Sequence, residues 1–128
     1  MRYPVMIEAG SETTAWGVVV PDLPGCFSAG DTLDEAMAAA EEAAAAWIDA
    51  TLDAGREIPR PSSAQEAVAK GDFGGWIVGF ITVDPALLDD TVERINVSLP
   101  RRVLARLDAK AREAGESRSG YIAHMAVG

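Results

Sequence analysis

Arg94, Asn96 and Ser98 fall at every second position, with Ile95, Val97 and Leu99 interleaved between and after them. In an extended strand successive side chains point to opposite faces. This spacing therefore predicts one hydrogen-bonding face and one apolar face. The polar set consists of residue types that read base edges. Arginine forks onto guanine O6 and N7, asparagine onto adenine N6 and N7, and serine bonds either base. Farther along, Ser117, Arg118 and Ser119 follow Gly115 and open a helical pattern. The free amides and positive dipole end of a helix starting there would suit a DNA phosphate.

Those groups need elements to hold them. The sequence predicts a strand over 93–99, a basic helix opened by Pro100, a break at Gly115-x-Ser117, and a second short helix. Residues 92–128 fall below the roughly 40 residues under which a domain usually needs a metal, a disulfide or a partner. With a single cysteine and a single histidine, disulfide frameworks and the usual zinc spacings are absent. Association remains. An isolated strand also has unpaired amides and carbonyls along both edges. Antiparallel pairing with the same strand of a second chain satisfies one edge of each. It also places Ile95, Val97 and Leu99 over Leu104, Leu107 and Ala111 of the first helix and Tyr121, Ile122 and Met125 of the second, an interlocked dimer core. The outer face of the two-stranded ribbon then carries Arg94, Asn96 and Ser98 twice, in a shape that fits the major groove of operator double-stranded DNA.

The pattern Arg94-x-Asn96-x-Ser98, the Pro100 helix start and the Gly115-x-Ser117-x-Ser119 turn together resemble the ribbon-helix-helix repressors over essentially all of residues 92–128. The plainer reading is an amphipathic edge strand with helices that only dimerise. Arg101, Arg102 and Arg106 either touch the DNA backbone or are simply solvated.

The charge distribution separates this tail from the rest of the chain. Of the 128 residues, those up to 91 hold 4 basic against 16 acidic side chains, a balance of −12; from Val92 onward 7 basic face 4 acidic, a balance of +3. An acidic front repels DNA and suits a basic protein partner. No apolar run reaches the roughly 20 residues of a membrane span, and the start lacks the pattern of a signal peptide, so a cytoplasmic protein without membrane contact is expected.

The front reads as βββαβ. Strands are expected over Tyr3–Ala9, Ala15–Val20, Cys26–Ala29 and Trp76–Val83. The valine run of the second strand predicts burial on both faces. Thr32 and Glu35 have the spacing of a capping box. Leu33, Met37, Ala40, Ala44, Trp47 and Thr51 then form one apolar helix face, and Gly55 stops the helix. Ser63 and Glu66 repeat the capping pattern for a short helix over Ala64–Lys70. The fold class is α+β, with a domain over 1–84, a linker over 85–91 and a β-α-α domain over 92–128.

The segment from Val20 to Ala36, with its PDLPGC loop and the Gly30-Asp31-Thr32 helix start, followed by a long helix and Ile58-Pro59-Arg60-Pro61-Ser62, resembles the HicB antitoxins. The resemblance spans roughly residues 3–63. It implies a partial RNase H-like fold without nuclease activity. It also implies a partner, a HicA-like toxin that is small, basic and cleaves mRNA. The C-terminal part would repress the operon encoding both proteins. A homodimer is expected, with the front domains able to pair dimers into a dimer of dimers.

Competing readings remain at this level. One is a stand-alone ribbon-helix-helix transcriptional regulator with an orphan N-terminal sensing domain. Catalysis would require a carboxylate cluster holding metal ions. Asp22, Asp31 and Glu35 are the nearest candidates, but turn and helix-start roles explain them, so no catalytic residue, metal or cofactor is expected. Cys26 reads as a small buried residue, His124 as a polar-face residue, and Trp16, Trp47 and Trp76 as packing.

Overall fold

The computed structural model describes residues 1–89 and 91–127. Asp90, in the segment expected as a linker, and Gly128, the last residue of the expected C-terminal domain, lie outside the described residues. The chain divides into two compact units, Met1–Thr91 and Val92–Gly128.

The first unit runs β1 (Arg2–Glu8), β2 (Trp16–Val19), β3 (Phe27–Gly30), α1 (Leu33–Asp53), α2 (Ala64–Val68) and β4 (Ile77–Thr82). The strands form one antiparallel sheet in the order β3-β2-β1-β4. β1 is an inner strand and is buried at every position from Tyr3 to Ile7. Its Tyr3, Val5 and Ile7 meet Val18, Ile81 and the helix α1 in the core. The buried positions of α1 are Ala36, Ala40, Ala44 and Ile48. They form a single row of every fourth residue, which winds obliquely across the expected apolar face. Leu33, at the margin of that face, is 38% exposed, while Met37 and Trp47 flank the core. Hydrophobicity alone favours leucine over alanine, but small side chains let the helix lie close to the sheet. Gly30 shows how close, since a Cβ there would sit 2.6 Å from the Ala36 amide nitrogen.

The helix ends are closed by local hydrogen bonds. Thr32 Oγ1 accepts from the Glu35 amide at 3.1 Å. The Glu35 carboxylate reaches one residue beyond the usual box and accepts from the Asp31 amide at 3.0 Å. Ser63 and Glu66 make the full reciprocal box. Gly55 adopts φ 72°, and the Gly55 and Arg56 amides bond the Leu52 and Thr51 carbonyls, the left-handed stop that glycine permits.

On the opposite sheet face, Pro4 and Met6 are buried and α2 packs against β1 with Ala67 buried. The expectation that the valine run of β2 is covered on both faces holds only in part. Val18 and Val20 are buried, Val19 is half-buried, and Phe27 opposite it is 70% exposed. Pro85–Leu88, expected as the start of a linker, forms a 3-10 turn capped by Asp84. Leu88 packs against the core, so this stretch belongs to the first unit.

The second unit contains α3 (Arg101–Glu113) and α4 (Arg118–Val127). Gly115, at φ 69°, closes α3 as Gly55 closes α1, with the Glu116 amide bonded to the Ala111 carbonyl at 2.9 Å. The strand expected over 93–99 is not formed within the single chain. Residues 91–100 carry no regular structure and are exposed throughout. A strand is defined by its ladder, and none of the described residues pairs with this one. Ala111 is the single buried residue of this unit among those described.

Candidate functional site

Arg94, Asn96 and Ser98 are all exposed. So are their apolar neighbours: Ile95 is 72%, Val97 65% and Leu99 41% exposed. Of the remaining expected dimer-core residues, Leu104, Leu107 and Tyr121 are half-buried and Ile122 and Met125 exposed. Leu107, Tyr121 and Met125 come together with Val103, Arg106 and Lys110 around an open apolar groove of about 240 Å³. Within the second unit these side chains form an apolar surface that its own two helices leave uncovered.

At the start of α4, Ser117 acts as the expected cap, its Oγ accepting from the Gly120 amide at 3.0 Å. Ser119 is exposed in the first turn. Arg118 differs from the expectation of a free phosphate ligand. Its Nε and a terminal nitrogen donate to the two Asp108 carboxylate oxygens at 2.8 and 2.9 Å. These hydrogen bonds hold the Asp108 carboxyl below its usual range and raise Arg118 further. The pair ties α3 to α4, so Arg118's charge is already shared with a carboxylate. His124 Nδ1 lies 3.1 Å from Glu116 Oε1 and makes a second link at the base of α4. No spacing rule announces either pair, because the first bridges the break between α3 and α4 and the second joins that turn to α4.

In the first unit the two signature segments meet at one buried carboxylate. Asp22 accepts from the Ser62 amide at 2.8 Å, from Ser62 Oγ at 2.6 Å, and from the Lys70 ammonium. Burial pushes its carboxyl up, but the bonds from Lys70 and Ser62 and the Lys70 charge outweigh burial and leave it below the usual range. The sequence reading gave Asp22 only a turn role. In fact it joins the PDLPGC loop to the Ile58–Ser62 segment and to Lys70, two residues beyond the end of α2. Two further bonds fasten the same region: Tyr3 Oη donates to the Pro59 carbonyl at 2.6 Å, and Trp47 Nε1 donates to the Pro24 carbonyl at 2.9 Å. Gly25, at φ 83°, allows the loop to turn back so that the Val20 amide donates to the Cys26 carbonyl at 3.0 Å. Cys26 is buried, and burial pushes its thiol up, which makes it a poor nucleophile. Asp31 and Glu35 are engaged at the α1 start, and no cluster able to hold a metal ion occurs among the described residues.

The outer side of α1 carries Asp34, Glu35, Glu41, Glu42, Asp49 and Asp53, and the helix holds no basic residue. At 100° per residue these six fall within one side of the helix, opposite the buried row.

The model of the HicB-like antitoxins of bacterial toxin–antitoxin systems matches residues 3–126. The chain belongs to this family. Such antitoxins are not enzymes. This HicB-like chain is 35% identical over 129 residues to an uncharacterized 14.9 kDa protein of the rep-hol intergenic region of Haemophilus phage HP1, covering 99% of this chain and 96% of that one. The crystal structure of the Burkholderia pseudomallei antitoxin HicB is similar with a TM-score of 0.62 and 35% identity, over 99% of this chain and 96% of that one. A chain of a HicA3 and HicB3 toxin–antitoxin complex is similar with a TM-score of 0.54 and 33% identity, over 66% of this chain and 100% of that one. No helix among the described residues is long and apolar enough to cross a membrane.

Proposed function

We propose that this HicB-like antitoxin binds and neutralises a small HicA-type, mRNA-cleaving toxin through its first unit, Met1–Thr91, and represses its own operon through its second unit, Val92–Gly128. The similar HicA3 and HicB3 complex favours a toxin partner over an orphan sensing role. The balance of −12 up to residue 91 gives a basic toxin a complementary surface.

The observation that carries the repressor half is the exposure of Ile95, Val97 and Leu99 on a unit with one buried residue among those described. Two copies of 93–99 paired antiparallel would cover those side chains with the α3–α4 groove. The pairing turns Arg94, Asn96 and Ser98 outward as a ribbon for the major groove. Ser117 and Ser119 at the α4 start would receive backbone phosphates, with Arg118 held beside them by Asp108. The homodimer is then the DNA-binding species, and a dimer of dimers the larger assembly. Its two proposed targets, the operator and a toxin that cleaves mRNA, imply action in the cytoplasm.

A gel-shift titration of the full chain on its own promoter at modest salt tests this reading. A discrete retarded species competed away by promoter DNA and poorly by random DNA is expected. A folded, dimeric sample that retards nothing would remove the repressor half.

A further inference from the structure

The antiparallel registers fix which side chains share a sheet face. Met6, Val19 and Phe27 stand opposite one another across β1, β2 and β3, and Glu8, Gly17 and Ala29 form the next row. Both rows lie on the face turned away from the core beneath α1. On β1 this face is covered, with Met6 buried and α2 packed against the strand. On β2 and β3 it is open. Phe27 is 70% exposed, Ala29 is exposed, and Gly17 and Val19 are half-buried. Two strands about 4.8 Å apart give a floor roughly 10 Å wide, flat where Gly17 and Ala29 meet. One exposed apolar side chain is ordinary. A continuous uncharged strip with a phenylalanine standing from it is the kind of surface that binds another protein. Phe27 is also held firmly. The loop before it is closed by the Cys26 amide on the Leu23 carbonyl at 2.9 Å and by Trp47 Nε1 on the Pro24 carbonyl. A group fixed before binding loses little freedom when it binds.

We propose that this strip of β2 and β3, with Phe27 as its anchor, is the face on which the first unit holds its basic toxin. The inference rests on the toxin-binding reading above and adds a surface to it. A large aromatic side chain within a contact, ringed by groups that exclude water, commonly carries most of the binding energy. The Asp22 junction then has a second consequence. By tying the PDLPGC loop to Ser62 and Lys70 it fixes the point from which Phe27 starts its strand.

Charge selects the occupant. From Tyr3 to Gly55 the chain holds 10 acidic residues and no lysine or arginine, and β2, β3 and the turns at their ends all fall in that stretch. Glu8 borders the strip on β1. Glu12 and Asp31 come together where β2 begins and β3 ends. At the opposite end the Lys70 ammonium is already bound to Asp22. An apolar floor with such a border repels a second copy of the same acidic body. It suits a partner whose apolar spot lies among lysines and arginines, which is the surface of a basic toxin. Charge alone would equally favour the outer side of α1. There the side chains between the carboxylates are Ala38 and Ala45, which are too small to anchor a partner.

The test is the Kd between the full chain and the purified protein of the small basic reading frame adjoining its gene. It is measured for the parent and for Phe27→Ala, Ala29→Arg and Glu42→Lys, each checked for its circular-dichroism spectrum and sedimentation mass. Phe27→Ala should weaken capture about 30-fold or more, the scale of an anchor residue. Ala29→Arg should weaken it further, because it adds bulk and a like charge to the floor. Glu42→Lys, on the outer side of α1, should change it only a few-fold. If Ala29→Arg fails to fold, Phe27→Ala decides alone, since its side chain stands mostly in solvent. Parental affinity in the folded strip variants overturns the inference and leaves the toxin reading intact. Loss of capture in Glu42→Lys alone also overturns it and assigns the toxin to α1. A Phe27→Ala protein that keeps capture but falls in mass overturns it and assigns the strip to a second copy. A parent that binds no such protein removes the toxin reading and the inference with it.

Discussion

The two units solve the burial problem in opposite ways. In Met1–Thr91 a four-stranded sheet and α1 enclose thirteen buried residues in one core, and a buried carboxylate fastens the loops around it. In Val92–Gly128 a single alanine is buried among the described residues, although its sequence is equally well patterned. The difference is one of closure. The first unit brings the chain at residues 2 and 82 together in one sheet, whereas the second has one strand-forming segment and no second strand of its own among the described residues. A unit that closes on itself can offer its outside to a toxin. A unit that does not close is the one proposed to pair with another copy, and the proposed groove-reading face would arise from that pairing.

Concentration gives the broadest way to break the comparison. The stability of the second unit should rise with protein concentration more steeply than that of the first, as expected where folding itself is linked to association. Two calorimetric or fluorescence transitions that both ignore concentration would contradict the proposed pairing. Ile81→Ala should have the largest single effect on stability, about 2–5 kcal/mol by urea unfolding of the first unit, since it removes a buried side chain from a closed core. The same kind of truncation in the second unit, Leu107→Ala, should appear chiefly as a weaker dimer.

Arg94→Ala should cost about 1–3 kcal/mol in operator affinity and relax specificity at one base pair. Equal losses on operator and random DNA would argue against base reading. Asp22→Asn should cost about 1–2 kcal/mol of first-unit stability, because it removes a charged acceptor from three hydrogen bonds. Asp22 is held below its usual range in the folded state. Its contribution is therefore complete above the unfolded carboxylate value of about 3.9 and is lost as pH falls through the lower folded value. The gap between parent and Asp22→Asn should be full at neutral pH and close in strong acid. The smallest effect is expected at Arg118. Since Asp108 already shares its charge, Arg118→Ala should lower the salt slope of DNA binding by less than the ~0.9 of one fully engaged phosphate contact.

Much of this molecule is legible along the chain because the governing interactions are short. Thr32, Ser63 and Ser117 cap helices through bonds spanning three residues. Gly55 and Gly115 stop helices through the left-handed conformation that glycine alone adopts without strain. The signature loop was visible as a motif, yet the reason for its aspartate was not. Asp22 meets Ser62 and Lys70, 40 and 48 residues away, and only the path of the chain brings them together. Arg118 was legible as a positive charge at a helix start. That it is spent on Asp108 depends on how α4 turns back along α3. The helix α1 was legible as amphipathic, but which of its small residues lie against the sheet was set by close approach rather than hydrophobicity.

The sequence by itself determined the local elements, their ends, the acidic front and basic tail, and the alternation of Arg94, Asn96 and Ser98 with Ile95, Val97 and Leu99. These depend on neighbours within a turn or on alternation along an extended backbone. The tertiary structure decided the contacts between distant residues: the Asp22 junction, the Asp108–Arg118 tie, the oblique alanine row of α1 and the open strip of β2 and β3. It also left the alternating segment without a ladder, because a strand needs a second strand and the second unit has no other among the described residues.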